Sequence, residues 1–255
     1  MDNLLEATYK AETQHFWFKG LRRFVRTFLD LARHDGPKPR ILDCGCGTGA
    51  NLGVLADYGH PVGLDFTAVG LKFAQNYGHR HLTQANVVKL PFADQSFGIV
   101  TALDVLTNLE DGEQPLAIRE MWRVLEPGGS LIVNVAALNI LRGNHSVFGS
   151  ERRRYRRTEV RRLLTDAGFI IERLTYTNFS LFPLMLAVRF VQRMAGLPTP
   201  LEAGTDLALP PAGVNAVLSG MVALEARALQ VTNMPVGSSV LCLARKPRAE
   251  SEPRP

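Results

Sequence analysis

Short apolar segments alternate with helix-length segments over most of the chain, and this alternation constrains the fold more than any other feature of the sequence. The first five segments are near-continuous apolar runs, which are typical of parallel strands buried on both faces. Parallel strands need crossover connections, so the pattern predicts an α/β fold with a doubly wound, seven-stranded, mostly parallel sheet. The last two segments alternate more strongly between apolar and polar residues, which predicts a sheet edge. The predicted strands are RILDCG, PVGLDF, HLTQAN, FGIVTALD, SLIVNVA, FIIERLTY and SSVLCLAR.

Two parts of the chain interrupt the alternation. Residues 1–36 contain an amphipathic helix, and residues 178–236 hold two helix-length apolar stretches, LFPLMLAVRFVQRM and VNAVLSGMVALEARALQ. The second part is too long for a plain loop. We therefore expect an N-terminal helical cap at 1–36, a sheet domain at 37–177 and 237–246, a helical cap or interface at 178–236, and a disordered tail at 247–255.

The number of cysteines and the hydropathy of the chain indicate the cellular compartment in which the protein is expected. Cys44, Cys46 and Cys242 are the three cysteines, too few for a closed disulfide framework and suited to a reducing environment. The segment MDNLLEATYKAETQHFWF lacks the apolar run of a signal peptide, and no apolar stretch reaches the roughly 18 residues of a membrane span. We expect a cytoplasmic protein. The net charge of +5 is concentrated in ERRRYRRTEVRR and is therefore a local feature.

The segment ILDCGCGTG, residues 41–49, places a glycine-rich turn between the first predicted strand and the following helix. Glycines let the backbone approach a ligand closely, and a metal, a nicotinamide, a phosphate and a methyl-donor cofactor are all candidates for such a turn. About 20 residues further on, Asp65 ends the second strand, where a carboxylate can accept hydrogen bonds from both hydroxyls of a ribose. Phe66 beside it offers a flat face to a purine.

Asp43 discriminates among these ligands because it lies at the end of the first strand, ahead of the glycines. A dinucleotide would bring its pyrophosphate to this turn, where a carboxylate would repel it. S-adenosylmethionine carries an ammonium and a sulfonium at its amino-acid end and has no phosphate. Asp43 therefore favours S-adenosylmethionine as the cofactor.

The motifs ILDCGCGTG, GLDF, LPFADQSFGIV and REMWRVLEPGGSLIVNV together resemble, in order and spacing, the class I S-adenosylmethionine-dependent methyltransferases. The resemblance covers roughly residues 38–177 and is strongest to the small-molecule group that includes the ubiquinone-biosynthesis type. It implies a Rossmann-like methyltransferase fold in which the glycine turn holds the methionine end, Asp65 the ribose, and Phe66 and the QANVVKLPF segment the adenine. The implied cofactor-binding residues are Asp43, Gly45, Cys46, Gly47, Gly49, Asp65, Phe66, Asn86, Val87 and Leu103.

Two departures from the family pattern bear on the chemistry. Asn108 in VLTNLED stands where the family often has a histidine, so an imidazole base is missing there. The Asn/Asp-Pro-Pro-Tyr signature of enzymes that methylate planar amino groups is also absent, which disfavours DNA adenine and glutamine as acceptors.

Candidate catalytic residues are His145, whose ordinary pKa suits a general base at neutral pH, and Tyr155, which could orient a substrate. His15 and Trp17 in QHFWF, together with Asn108, are candidate substrate-binding residues. Each candidate has a structural alternative. His145 would be an ordinary loop histidine, and the QHFWF side chains would pack in the core of the N-terminal helix.

Other motifs have two interpretations as well. Cys44 and Cys46 could bind a metal, but no second ligand pair has zinc spacing, so we predict no metal site. Asp104, with Glu110 and Asp111, could hold a divalent ion, although abutting the cofactor or capping a helix is the simpler role for it. The arginine run could bind RNA, but limited aromatic interleaving favours a solvated face or an anionic-substrate clamp, so no nucleic-acid partner is expected.

The sequence thus predicts a methyltransferase that acts on an oxygen, nitrogen or carbon nucleophile of a small molecule. The apolar insertion suggests a lipid-like or aromatic acceptor. A peripheral membrane contact of LFPLMLAVRFVQRM is an alternative that we do not favour over a cap. The protein is expected to be a monomer or a homodimer. A non-catalytic cofactor-binding protein and a dinucleotide-dependent oxidoreductase remain the alternative functions.

Overall fold

The computed structural model describes residues 2–32, 36–141, 151–194 and 209–248. Its strands are β1 (Arg40–Cys44), β2 (His60–Asp65), β3 (Leu82–Gln84), β4 (Phe97–Leu103), β5 (Leu125–Ala136), β6 (Ile170–Thr177) and β7 (Ser239–Arg245). They form one seven-stranded sheet in the order β3-β2-β1-β4-β5-β7-β6, with β7 antiparallel to both of its neighbours. The predicted doubly wound, mostly parallel sheet is confirmed.

Helices connect the strands and flank the sheet. The described helices are α1 (Asp2–Ala11), α2 (Phe16–Leu31), α3 (Ala50–Leu55), α4 (Ala68–Asn76), α5 (Glu113–Val124), α6 (Arg157–Asp166), α7 (Phe182–Met194) and α8 (Ala212–Ala228), with a short 3-10 turn at Asn139–Leu141. The amphipathic helix expected within residues 1–36 is α2, whose Phe24 and Phe28 are fully buried. The two helices expected in the insertion are α7 and α8.

The strand order reverses between β1 and β4. The chain runs outward from β1 to β2 and β3, and then returns to pair β4 with the other side of β1. In an open α/β sheet, ligands bind in the crevice outside the carboxyl ends of the strands at such a switch point. The glycine turn after β1 and Asp104 after β4 both lie at this place.

Strand β7 corrects one expectation. Only β6 lies at the sheet edge, whereas β7 lies between β5 and β6 and is buried along nearly its whole length. Its side chains alternate between two separate cores: Val240 and Cys242 belong to one, Leu241 and Leu243 to the other. The alternation in the sequence therefore reflects two different buried faces and not one solvated face.

Those two cores cover the two faces of the sheet. Leu42, Val100 and Val133 point to one face, and their neighbours Ile41 and Ile99 point to the other. Burying each such side chain contributes about 1.5–3 kcal/mol, so the central strands β1, β4 and β5 contribute strongly to the stability of the fold.

Helices α2 and α8 pack closely against each other on one of these faces. A Cβ placed on Gly20 would lie 2.6 Å from Cγ1 of Val222, so only a glycine permits this approach. Polar contacts join the same helices: the Phe16 N–H donates to Asn215 Oδ1 at 2.9 Å, and Arg23 Nη1 donates to the Ser219 carbonyl at 2.9 Å. Helix α2 of the N-terminal segment and helix α8 of the insertion thus form a closely packed pair.

Helix α7 is anchored at its start and apolar on its exposed side. The buried Glu225 of α8 accepts hydrogen bonds from the backbone N–H groups of Phe179 and Ser180, both at 2.9 Å. Further along α7, Leu184 and Val188 are exposed. Among the described residues, no helix combines the length and the hydropathy that crossing a bilayer requires.

Candidate functional site

The glycine turn is built around three left-handed glycines, Gly45, Gly47 and Gly49, and the end of β2. The N–H groups of Gly45 and Cys46 both donate to the Leu64 carbonyl, at 2.7 and 2.9 Å. Gly45 has a φ of 74°, and a Cβ on it would lie 2.2 Å from Cγ2 of Val105. The turn therefore packs directly on the segment that follows β4, and Gly49, also left-handed, precedes α3.

Asp43 is a buried carboxylate with one unsatisfied oxygen. Its Oδ1 accepts a hydrogen bond from the Thr101 hydroxyl at 2.7 Å, whereas Oδ2 has no hydrogen-bond partner among the described residues. Burial raises the pKa of Asp43 to about 7; the Thr101 hydrogen bond lowers it and the charge of Asp65 raises it further. A buried acceptor without a partner is costly, so this place suits a cationic or hydrogen-donating ligand.

Asp65 fastens the turn to β2. Its Oδ2 accepts the Gly47 N–H at 2.8 Å, and its Oδ1 accepts the Thr67 N–H at 2.8 Å and the Thr67 hydroxyl at 2.6 Å. The carboxylate is only half-buried. It therefore has lone pairs toward solvent as well as a structural role that its sequence position did not indicate.

The predicted adenine-side residues lie beside Asp65. Phe66 is 69% exposed, so its ring face is open to a ligand. Asn86 is exposed, and its Oδ1 accepts the Val88 N–H at 3.1 Å, which leaves the side-chain amide group available. Val87 is buried beneath them, and Leu103 is buried at the end of β4.

Trp17 lies in a small cavity at the carboxyl ends of the strands. The cavity also contacts Asp104 after β4 and Asn134 on β5, so α2 and the sheet meet there. His15, in contrast, is the N-cap of α2: its Nδ1 accepts the Trp17 N–H at 3.2 Å, and it is buried. Burial lowers the pKa of His15, which favours the neutral ring that this cap requires. Asn108 is exposed on the loop after β4.

The structure describes one of the two predicted catalytic residues, Tyr155. His145 lies outside the described residues. Tyr155 is buried, and its hydroxyl donates to the Leu106 carbonyl at 3.0 Å, while burial raises its pKa to about 12. A hydroxyl held in this way is not free to contact a methyl acceptor. These contacts indicate that Tyr155 packs in the core. They do not support its predicted catalytic role, which stays a prediction.

Two buried polar residues of the site were not predicted. Asn134 is the single polar residue within the apolar run LIVNVA, and this interruption was a usable signal. Glu12 lies in the segment between α1 and α2, where its Oε2 accepts the hydroxyl of Thr48, in the glycine turn, at 2.6 Å and its Oε1 accepts the Tyr77 hydroxyl at 3.0 Å. Nothing in the local sequence distinguishes Glu12 from an ordinary solvated acid.

The cysteines of the turn are free and buried, and burial raises the pKa of the Cys44 thiol well above its usual range. Burial does the same to Cys46. Both therefore remain uncharged thiols. Within the described ranges, no group of three His, Cys, Asp or Glu side chains is placed to hold a metal ion.

Comparisons with known proteins identify a methyltransferase domain and fold. Residues 42–133 match the family model described as a methyltransferase domain. The ubiquinone/menaquinone biosynthesis C-methyltransferase UbiE of Vibrio parahaemolyticus is 34% identical over 125 residues, which cover 45% of this chain and 48% of that protein. The probable tRNA methyltransferase 9B of Homo sapiens is 36% identical over 115 residues, which cover 45% of this chain and 24% of that protein.

The chain thus spans about half the length of its bacterial relative. Among solved structures, a possible histamine N-methyltransferase from Thermotoga maritima superposes with a TM-score of 0.59 at 17% identity, covering 96% of this chain and 95% of that one. A geranyl diphosphate methyltransferase in complex with SAM superposes with a TM-score of 0.56 at 15% identity, covering 86% and 82%. At these identities the structural likeness concerns the fold.

Proposed function

From the premise that this chain carries a class I methyltransferase domain, we propose that it binds S-adenosylmethionine and transfers the methyl group to an oxygen, nitrogen or carbon nucleophile of a small molecule. The observation that carries the proposal is the unpartnered Oδ2 of the buried Asp43 beside the glycine turn. A cofactor that presents a cation there would pair with this oxygen. A pyrophosphate would be repelled by the carboxylate.

The residues around the crevice fit the rest of that cofactor. Asp65 keeps lone pairs toward solvent for ribose hydroxyls, and the exposed ring of Phe66 and the amide of Asn86 suit an adenine. Gly45, Gly47 and Gly49, with Cys46, would leave room for the methionine end, while Val87 and Leu103 would supply apolar contact. This assignment extends the family pattern to these positions and is a proposal.

S-adenosylmethionine, when bound, supplies an activated methyl group on a sulfonium. The contribution of the chain is to align it with an acceptor, since in-line displacement depends chiefly on proximity and orientation. Asp43 would fix the amino-acid end, Asp65 would fix the ribose, and the α2 side chains above the strand ends would exclude water. No covalent intermediate with the protein is needed.

A small-molecule acceptor is supported over a nucleic acid by the first three residues of the arginine run. Arg152, Arg153 and Arg154 are each paired with a glutamate, at 3.1, 2.8 and 2.6 Å respectively. Paired arginines offer little net charge to a phosphate backbone. The bacterial relative is described as acting in quinone biosynthesis and the human one as a probable tRNA enzyme, and the paired arginines favour the first kind of acceptor here.

The insertion 178–236 is proposed to cover the acceptor site together with the N-terminal cap at residues 1–36. The close packing of α8 on α2 supports this arrangement. The exposed apolar side of α7 is also compatible with a homodimer or a membrane contact. The three cysteines, free and buried, suit the cytoplasmic location expected from the sequence.

Titration calorimetry tests the proposal directly. S-adenosylmethionine and S-adenosylhomocysteine should both bind, and NAD should not. Tighter binding of NAD would favour the oxidoreductase alternative. If the cofactor binds, methyl-labelled S-adenosylmethionine incubated with small-molecule extracts separates an enzyme, which transfers label, from a non-catalytic binding protein, which does not.

A further inference from the structure

A polar slot lies between the sheet and α2, beside the proposed cofactor crevice. It is lined on one side by apolar residues of α2, including Trp17, and on the other by Asp104 and Asn134. Its volume is about 10 Å³. That is roughly the space of one water molecule, so it fits a single hydroxyl or amino group and not a whole ring.

Asp104 is held at the floor of this slot in an unusual conformation. Its φ is 61°, a left-handed value that is uncommon for a residue other than glycine. Two contacts to Asn134 maintain it: the Asp104 N–H donates to the Asn134 carbonyl at 2.9 Å, and Asn134 Nδ2 donates to Asp104 Oδ1 at 2.8 Å. Strain of this kind persists where the surroundings fix it, and it is concentrated at functional sites.

One buried acceptor atom at the slot lacks a hydrogen-bond donor within the part of the chain that the structure describes. Asn134 Oδ1 is buried and has no hydrogen-bond partner among the described residues. The carboxylate of Asp104 is a second acceptor at the same place. Two neighbouring acceptors are satisfied by a ligand that brings its own N–H or O–H.

The slot lies close to the glycine turn, and this position bears on its function. Val105, the next residue after Asp104, lies against Gly45 of that turn, as the 2.2 Å approach of a Cβ on Gly45 to Val105 Cγ2 indicates. The slot is therefore next to the end of the crevice that the methionine moiety would occupy. If the methionine end of the cofactor lies at this turn, a donor group seated in the slot would be close to the transferred methyl group.

We propose that Asp104, positioned by Asn134, binds the hydroxyl or amino group of the methyl acceptor and receives its proton. As the acceptor oxygen or nitrogen bonds to the methyl carbon, the carbon–sulfur bond breaks and its electron pair stays on sulfur. The acceptor proton passes to the carboxylate of Asp104, so charge balances without another reactant. This inference rests on the proposed function and adds to it the residue that recognises the acceptor.

The electrostatics of the slot suit this role. Burial raises the pKa of Asp104 to about 7; the Asn134 hydrogen bond and Arg154 lower it, and Glu151 raises it. Arg154 and Glu151 are paired with each other at 2.6 Å. The remaining slot-lining side chains are uncharged, namely Trp17, Leu21, Phe24, Thr177, Asn178 and Ser239. A carboxyl group with this pKa can both accept and release a proton near neutral pH.

Sinefungin tests the proposal without knowledge of the acceptor. In this analogue a carbon bearing an amino group replaces the methylated sulfonium, so its amine extends toward the slot, whereas S-adenosylhomocysteine has nothing there. Calorimetry on the wild-type chain should show that sinefungin binds at least about tenfold more tightly than S-adenosylhomocysteine, because one charge-assisted hydrogen bond provides a difference of this size. The preference should decline as pH falls through the pKa of Asp104, because the protonated carboxyl loses its charge.

Asp104→Asn should remove most of this preference while S-adenosylhomocysteine affinity stays within about twofold, because the asparagine keeps an oxygen for Asn134. Asp111→Asn, on the same loop but exposed, should retain the full preference. A wild-type chain that binds S-adenosylhomocysteine without preferring sinefungin overturns the proposal, as does an unchanged preference in Asp104→Asn. If neither ligand binds the wild-type chain, the proposed function itself fails.

Asn134→Ala provides a second variant should Asp104→Asn melt at a much lower temperature. It removes the side-chain hydrogen bond that orients Asp104 and leaves the carboxylate in place. The sinefungin preference should then fall partly, with S-adenosylhomocysteine affinity retained. A preference that survives Asn134→Ala in full contradicts the positioning role of Asn134.

Discussion

The backbone N–H of Gly47 donates to the Asp65 carboxylate at 2.8 Å, so the residue that ends β2 also fixes the shape of the glycine turn after β1. The other Asp65 oxygen accepts from Thr67 at the start of α4. One carboxylate therefore links two turns across the crevice and still faces solvent. Changes at Asp65 should act on the cofactor both directly and through the turn.

Asp65→Ala should weaken S-adenosylhomocysteine binding by more than tenfold, since charge-assisted hydrogen bonds contribute roughly 1.5–3 kcal/mol each and both the ribose and Gly47 lose an acceptor. The apo protein should also melt at a lower temperature. Calorimetry and thermal unfolding measure the two effects. Asp57→Ala, an exposed aspartate paired with Arg26, serves as the control and should change neither appreciably. Unaltered affinity in Asp65→Ala would mean that the ribose is held elsewhere.

Asp43 should make cofactor binding depend on pH. Its pKa is about 7 in the free protein because it is buried, and a cationic ligand favours its ionised form. Affinity for S-adenosylhomocysteine should therefore fall as pH decreases from about 8 to about 6, with protons released on binding. In Asp43→Asn the affinity should be lower and this part of the pH dependence absent. The test compares calorimetric titrations in two buffers of different ionisation enthalpy.

The same carboxyl should affect the stability of the apo protein with the opposite trend. Its folded pKa of about 7 lies above the ordinary value of 3.8, so the folded state binds more protons between these values. The contribution of Asp43 to the free energy of unfolding is therefore greatest below the unfolded pKa and is lost as pH rises toward 7. Asp43→Asn should flatten this part of the profile in denaturant titrations. A wild-type profile with the same slope as the variant would refute the assignment.

Gly20 should not tolerate a side chain. Gly20→Ala places a methyl group 2.6 Å from Val222 Cγ1, and such overpacking typically costs about 1–3 kcal/mol. Gly220→Ala is the matched control, because it lies within α8 with open space around it and should stabilise the helix by about 0.5–1 kcal/mol. Denaturant unfolding distinguishes them. In a double-mutant cycle, Val222→Ala should recover part of the loss, and purely additive effects would contradict the clash.

Glu12 should hold the N-terminal segment on the glycine turn. Glu12→Ala leaves the buried hydroxyl of Thr48 and the partly buried hydroxyl of Tyr77 without their acceptor, at a cost of about 1–3 kcal/mol. Amide hydrogen exchange in residues 5–11 should accelerate more than exchange in β4. Glu6→Ala, at an exposed position of α1, should leave β4 and the turn unaffected. Equal acceleration throughout the chain would indicate global destabilisation instead of local release.

Predictions from the residues succeeded where the information is local. The alternation of apolar runs predicted the sheet, and Asp43 and Asp65 lie near the ends of β1 and β2, where the sequence placed them. The predicted role of His15 in substrate binding depends on the direction in which its ring points. In the structure this ring caps the N-terminus of α2. Tyr155 similarly donates to a carbonyl distant in the chain. Local patterns specify neither partner.

The sequence by itself determined the order of the strands along the chain, the glycine turn and the acidic residues at the ends of β1 and β2, since periodicity and turn chemistry depend on neighbours within a few residues. Only the tertiary structure decided that β7 enters between β5 and β6, and that Asp104 meets Asn134 from 30 positions away. The physical reason is that most buried polar groups are paired with groups that are close in space and can be distant in sequence. Which partner such a group finds depends on how the strands assemble, and no local stretch of sequence contains that information.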